Sequence, residues 1–112
     1  MEEVQVSKQD FLEYIAHLSY ELSILAKTAN LTFGSYILSI IHLESSKEMG
    51  QYPFEEIDAQ HESKILSPNQ IKLYIFSVSK AMVSLAQIQG MGFMTYLFQM
   101  LYSEFKALIN AE

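Results

Sequence analysis

The chain has 112 residues, half of them apolar and 18% charged, with no cysteine. That allows one domain with one core and excludes a disordered chain, a disulfide framework and a thiolate metal site. The net charge is −6 and all seven basic residues are Lys. Without the arginine fork that reads phosphates and base edges, nucleic acid is not an expected partner. The charge is uneven: residues 1–60 carry three Lys and ten acids, residues 61–112 four Lys and three acids.

The opening "MEEVQVSKQD" is acidic and polar where a secretion signal has a basic start and an apolar run. A cytoplasmic location is expected, which the lack of cysteine fits. Ser7-Lys8-Gln9-Asp10 then offers a helix start with Ser as N-cap. From there Phe11, Ile15, Leu18, Leu22 and Leu25 step by four and three, which predicts a helix with one buried stripe. Asn30 tolerates the left-handed backbone that ends a helix, and Leu31 is the apolar residue that seals such an end. Thr32 is an acceptable N-cap for a second helix, whose expected stripe is Phe33, Tyr36, Ile37, Ile40 and Ile41.

Residues 50–66 read as a linker. Gly50 and Pro53 break helix, and Glu55, Glu56 and Asp58 keep the segment wet. It is long for a bundle loop. It is expected to cross the bundle with Tyr52, Phe54 and Ile57 against the surface, and a short helix near 54–61 is allowed.

After the linker the plan recurs. Ser67-Pro68-Asn69-Gln70 combines an N-cap Ser, Pro at the first helical position and the Gln of a capping box. Ile71, Ile75, Val78, Met82 and Leu85 form the third stripe. Gly90 and Met91 stand where Asn30 and Leu31 stood, and Phe93, Tyr96, Leu97, Met100 and Leu101 form the fourth. Laid over itself at an offset of sixty, residues 7–46 on 67–106, the chain matches identically at nine of forty positions without a gap. These are Ser7/Ser67, Tyr14/Tyr74, Ile15/Ile75, Ser19/Ser79, Leu25/Leu85, Ala26/Ala86, Phe33/Phe93, Tyr36/Tyr96 and Glu44/Glu104. A period of this size marks a structural repeat.

Each repeat thus reads as an αα-hairpin, 7–49 and 67–110, in a single domain. A hairpin of forty residues cannot bury its own stripe, and two facing hairpins bury both. The predicted fold is all-α: a four-helix bundle of two tandem hairpins related by pseudo-twofold symmetry. Residues 81–102 carry no charge over 22 positions, about the length of a membrane span. Gly90 and Gly92 in their middle instead predict two helices meeting at a turn, so no membrane span is expected.

The first repeat resembles short helical-hairpin proteins of alphaproteobacteria through Glu21-Leu22, Leu25-Ala26, Tyr36-Ile37-Leu38 and Leu43-Glu44. The resemblance covers about a third of the chain and implies no activity or cofactor. It implies hairpins that pair as homodimers, here fused into one chain, and a bacterial source.

Three chemistries can be weighed on the residues. "LAQIQGM" has the Ala, Gly and apolar spacing of a DNA-reading helix-turn-helix, but the following helix opens with Phe93, Met94 and Tyr96 where base readers are polar or basic. A bundle metal site needs Glu-x-x-His motifs, and none of His17, His42 and His61 has Glu three residues before it. His17 and Glu21 share a helix face as a surface pair. Glu44 and Glu104 extend two of the stripes and are a possible carboxylate pair across the pseudo-twofold axis; the alternative sets both at the bundle's end in water. No catalytic nucleophile, base or phosphate loop accompanies them, so no enzyme, metal or cofactor is expected.

The positions that differ between the copies add apolar residues to the second hairpin. Glu13, Ala16, Ser23, Thr28, Gly34, His42 and Ser45 become Leu73, Phe76, Val83, Ile88, Met94, Tyr102 and Phe105. With Phe98 these form an expected additional apolar face, either covered by the linker or offered to a protein partner or to a second copy as a homodimer. The expected function is a non-enzymatic helical interaction module, an adaptor or regulator using Leu73, Phe76, Val83, Met94, Phe98, Tyr102 and Phe105. The alternatives are a carrier of a small apolar ligand inside the bundle and a DNA-associated regulator.

Overall fold

A computed structural model describes residues 7–50 and 66–111, and four helices hold nearly all of them. They are α1 (Lys8–Thr28), α2 (Thr32–Met49), α3 (Pro68–Ile88) and α4 (Gly92–Asn110). α1 packs along α2 and α3 along α4, giving two hairpins. Between the hairpins α2 meets α4, and α1 meets α3 more sparsely. The protein is an all-α four-helix bundle of two hairpins in which like helices face each other. The expected short helix near 54–61 and the seats of Tyr52, Phe54 and Ile57 lie outside the described residues.

Local chemistry sets the ends of the helices. Ser7 Oγ accepts from the Asp10 N–H at 3.0 Å. Ser67 makes the full reciprocal box: its Oγ accepts from the Gln70 N–H at 3.2 Å, and its own N–H donates to Gln70 Oε1 at 2.8 Å. Both contacts satisfy N–H groups that the first helical turn leaves without intrahelical partners.

The two turns share one geometry. Asn30 and Gly90 adopt φ of 62° and 71°. Their N–H groups donate to the carbonyls of Lys27 and Gln87, and the next N–H groups, of Leu31 and Met91, donate back to Ala26 and Ala86 at 2.8 and 3.0 Å. This is the double bond pattern of a Schellman stop. Met91 is buried and Leu31 half-buried, so the apolar seal forms in both. The second helix of each hairpin starts one residue earlier than the caps expected at Thr32 and Gly92. Leu31 and Met91 hold the N-cap position with no side-chain bond, and their carbonyls accept from Ser35 and Thr95. One apolar residue thereby closes one helix and opens the next.

The buried faces are rotated from the expected ones. In α1 and α3 the deepest line is Phe11, Ile15, Ser19, Leu22, Ala26 and Ile71, Ile75, Ser79, Met82, Ala86. Leu18, Val78 and Leu25 are half-buried and Leu85 is exposed. Small residues sit deepest because helix axes approach to roughly 8–10 Å only where the contact side chains are small. The Ser19 and Ser79 hydroxyls are satisfied within their own helices, donating to the carbonyls of Ile15 and Phe76.

In α2 and α4 the rotation exposes four residues expected inside. Phe33, Tyr36, Phe93 and Tyr96 are surface residues, each about half exposed. The lines that are buried run Gly34, Leu38, Ile41, Ser45 and Met94, Phe98, Leu101, Phe105. A Cβ added at Gly34 would lie 2.5 Å from Cε1 and Cζ of Phe105, so the phenyl ring seats on the glycine backbone. Gly34 lies in the first turn of α2 and Phe105 in the second half of α4, so the start of α2 meets the later part of α4.

Candidate interaction surface

The two hairpins solve the same packing problem with different chemistry. In the first, the seam between α1 and α2 is small and polar. Ser35 Oγ donates to the Ser23 carbonyl at 3.3 Å, and His42 Nδ1 lies 2.9 Å from the Ala16 carbonyl. A carbonyl only accepts, so Nδ1 carries the proton in that bond. The His42 ring tilts against Tyr20 at 5.3 Å between centroids. In the second hairpin, Phe76 replaces Ala16 and Tyr102 replaces His42, and the two rings stack at 5.0 Å. Lys106 Nζ lies 5.9 Å from the Tyr102 ring centre, within cation–π reach. A hydrogen-bonded level of the first hairpin is an aromatic level of the second.

This comparison places the seven expected interface residues. Met94, Phe98 and Phe105 are completely buried and belong to the core, not to a free face. Phe76, Val83 and Tyr102 are half-buried; the Phe76–Tyr102 stack lies on the seam between α3 and α4. Leu73 alone of the seven is open to solvent, at 53%. Of the residues at which the copies differ, Phe76 and Tyr102 lie on the seam between α3 and α4, Phe105 packs on Gly34 of α2, and Leu73 is in solvent.

The surface that is exposed carries residues the copies have in common. Tyr14/Tyr74, Phe33/Phe93 and Tyr36/Tyr96 are identical pairs, and all six side chains are exposed. Phe93 and Tyr96, one turn apart, stack at 6.5 Å. Leu85 is exposed as well and Ile88 is 77% exposed. On α3, exposed Tyr74, Ala81, Leu85 and Ile88 fall in line with half-buried Val78 at spacings of four, three, four and three, the spacing of a coiled-coil seam. Neighbouring exposed positions Ser77, Ser84 and Gln87 are uncharged. α3 is long and apolar enough to cross a membrane by length and composition, yet only 28% of its most apolar stretch is buried within the bundle. The uncharged run at 81–102 is divided between α3 and α4 by the turn at Gly90.

The polar candidates are dispersed. His17 and Glu21 are exposed on α1, and His61 lies outside the described residues. Glu44 and Glu104 are both half-buried. Among the described residues no group of three His, Asp or Glu side chains is placed to hold a metal ion. Buried Ser46 Oγ has no hydrogen-bond partner among the described residues.

No protein-family model, curated protein or solved structure matches this chain.

Proposed function

We propose that the protein is a non-enzymatic helical interaction module, a cytoplasmic adaptor or regulator, whose docking surface is the outward seam of α3. The observation that carries this reading is the mismatch in α3 between composition and burial: a helix apolar along its length with 28% of its most apolar stretch covered. An amphipathic helix ordinarily turns its apolar residues to the core, and here Tyr74, Leu85 and Ile88 remain outside it. In water its open side is a surface awaiting cover. The heptad spacing of Tyr74, Val78, Ala81, Leu85 and Ile88 suits a partner helix laid along it, as in helix-in-groove recognition. Ser77, Ser84 and Gln87 flank the seam without charge, and Lys80 adds an exposed cation beside Ala81. Leu73 adds to the same side of the hairpin, and the stacked Phe93 and Tyr96 supply aromatic anchors of the kind that dominate binding energy.

In this reading the chain is a fused pair of hairpins, and the partner is a helix of another protein or of a second copy. The sixty-residue repeat supports the fusion: identical residues recur at the first N-cap, Ser7 and Ser67, and at the exposed aromatic positions.

Replacing Leu85 and Ile88 together with Lys tests the assignment. Both are open to solvent, so thermal unfolding by circular dichroism should shift by no more than a few degrees, as surface substitutions within about 0.5 kcal/mol do. Self-association measured by sedimentation, and retention of partner in a pull-down, should be lost. If both survive the substitution, the seam is not the docking surface; if the variant unfolds, these residues are structural.

A further inference from the structure

We propose that the face between α2 and α4 is a heterotypic lock: it fits the first hairpin to the second and rejects pairing of either hairpin with its own copy. The geometry begins at Gly34, where the Phe105 ring occupies the space a Cβ would need. Phe105 is completely buried, so its ring has no open side into which to swing. The fully buried line on α2 is Gly34, Leu38, Ile41 and Ser45; on α4 it is Met94, Phe98, Leu101 and Phe105. Running antiparallel from the Gly34–Phe105 contact, the spacing of four, three and four on one line meets four, three and four on the other. The register then places Leu38 opposite Leu101, Ile41 opposite Phe98 and Ser45 opposite Met94.

The outer levels therefore combine one small and one large residue, and the large one always comes from α4. By the sixty-residue match, Gly34 corresponds to Met94 and Ser45 to Phe105. Two first hairpins paired in this register would set Gly against Ser at both outer levels and leave voids. Two second hairpins would set Met against Phe at both and overfill them. Voids and overpacking are each destabilising in interiors packed at crystal density. Only the unlike pair fills both levels, which is specificity achieved by making the wrong partners fit badly. Charge points the same way. The first hairpin holds Lys8, Lys27 and Lys47 against Asp10, Glu13, Glu21, Glu44 and Glu48, net −2; the second holds Lys72, Lys80 and Lys106 against Glu104, net +2. The partner for the α2 face is thus the second hairpin, of the same chain or of another copy by exchange. A dimer formed by exchanging hairpins must pair first with second.

The test uses the full chain. Met94→Gly with Phe105→Ser makes both outer levels like the first hairpin, and Gly34→Met with Ser45→Phe makes both like the second. Each double variant should lower the thermal midpoint by roughly 10 °C or more. The four substitutions together move the large residues from α4 to α2 and restore one small and one large residue at each level. That variant should melt above both doubles. If it melts below either, the complementarity is not what pairs the hairpins and the proposal is overturned. A gentler cycle keeps the answer clear where a double variant does not fold. Gly34→Ala should cost a few degrees alone and less than half as much in the presence of Phe105→Leu; equal losses in the two backgrounds overturn the Gly34–Phe105 contact on which the register rests.

Discussion

The two hairpins share their caps, turns and helix lengths, and differ along the seam inside each. In the first, Ala16, Ser23, Ser35 and His42 bring α1 and α2 together through small side chains and hydrogen bonds to backbone carbonyls. In the second, Phe76 and Tyr102 hold α3 to α4 by stacking. A small polar seam places two backbones close but buries little apolar area. An aromatic seam buries far more and leaves large rings to reach across the bundle, as Phe105 does onto Gly34. The asymmetry shows that a repeated backbone plan does not require a repeated interior. It also divides the residues that differ into those that line the interior, such as Met94 and Phe105, and those that lie open on α3, Leu73 and Ile88, beside the exposed aromatics that the copies share.

The largest expected effect separates the two seams. Phe105→Ala removes a completely buried ring and should lower stability by about 3–5 kcal/mol. Its counterpart Ser45 is equally buried, and its hydroxyl donates to the Ile41 and His42 carbonyls of its own helix. Ser45→Ala should change stability by less than about 1 kcal/mol, since those carbonyls keep their helical bonds. Urea denaturation of both variants measures the difference, and equal losses would break the contrast drawn between the hairpins.

The turns give an intermediate effect with opposite signs. Gly90→Ala puts a Cβ into a backbone at φ 71° and should cost about 1–2 kcal/mol. Asn30→Gly relieves the same strain at φ 62° and should be neutral or stabilising by under about 1 kcal/mol. Thermal melts of the two variants should therefore move in opposite directions or leave Asn30→Gly unmoved. The smallest difference is at the caps. Ser67→Ala dismantles a reciprocal box and should cost about 1 kcal/mol, against about 0.5 kcal/mol for Ser7→Ala, where a single bond to the Asp10 N–H is lost. Amide hydrogen exchange in the first turns of α1 and α3 would resolve the two.

The parts of the fold legible in the sequence are those decided within a few residues. Ser7, Ser67 with Pro68 and Gln70, Asn30 and Gly90 act through contacts no more than five positions away, and all of them take the conformations their residue types favour. The rotation of the buried faces was not legible for a physical reason. Reading large apolar residues as the inside favours Leu18 over Ser19 and Leu25 over Ala26. Close helix packing makes the opposite choice, because the contact line must be small. The same bias placed Phe33 and Phe93 inside, though each lies about half in solvent. For the candidate surface, the extra apolar residues of the second hairpin could be counted, but whether each lay in the seam, in the lock with α2 or in solvent could not.

Four helices, two stops with left-handed residues and a pairing of hairpins follow from the residues alone, because capping and turn formation are local and a lone stripe must be covered. Tertiary structure alone decided which side of each helix is covered, since that depends on how near the neighbouring backbone can come. Gly34 shows the division. Its sequence neighbours mark only a helix start, and its role as the seat of the Phe105 ring exists because a second helix, sixty residues on, brings that ring to it.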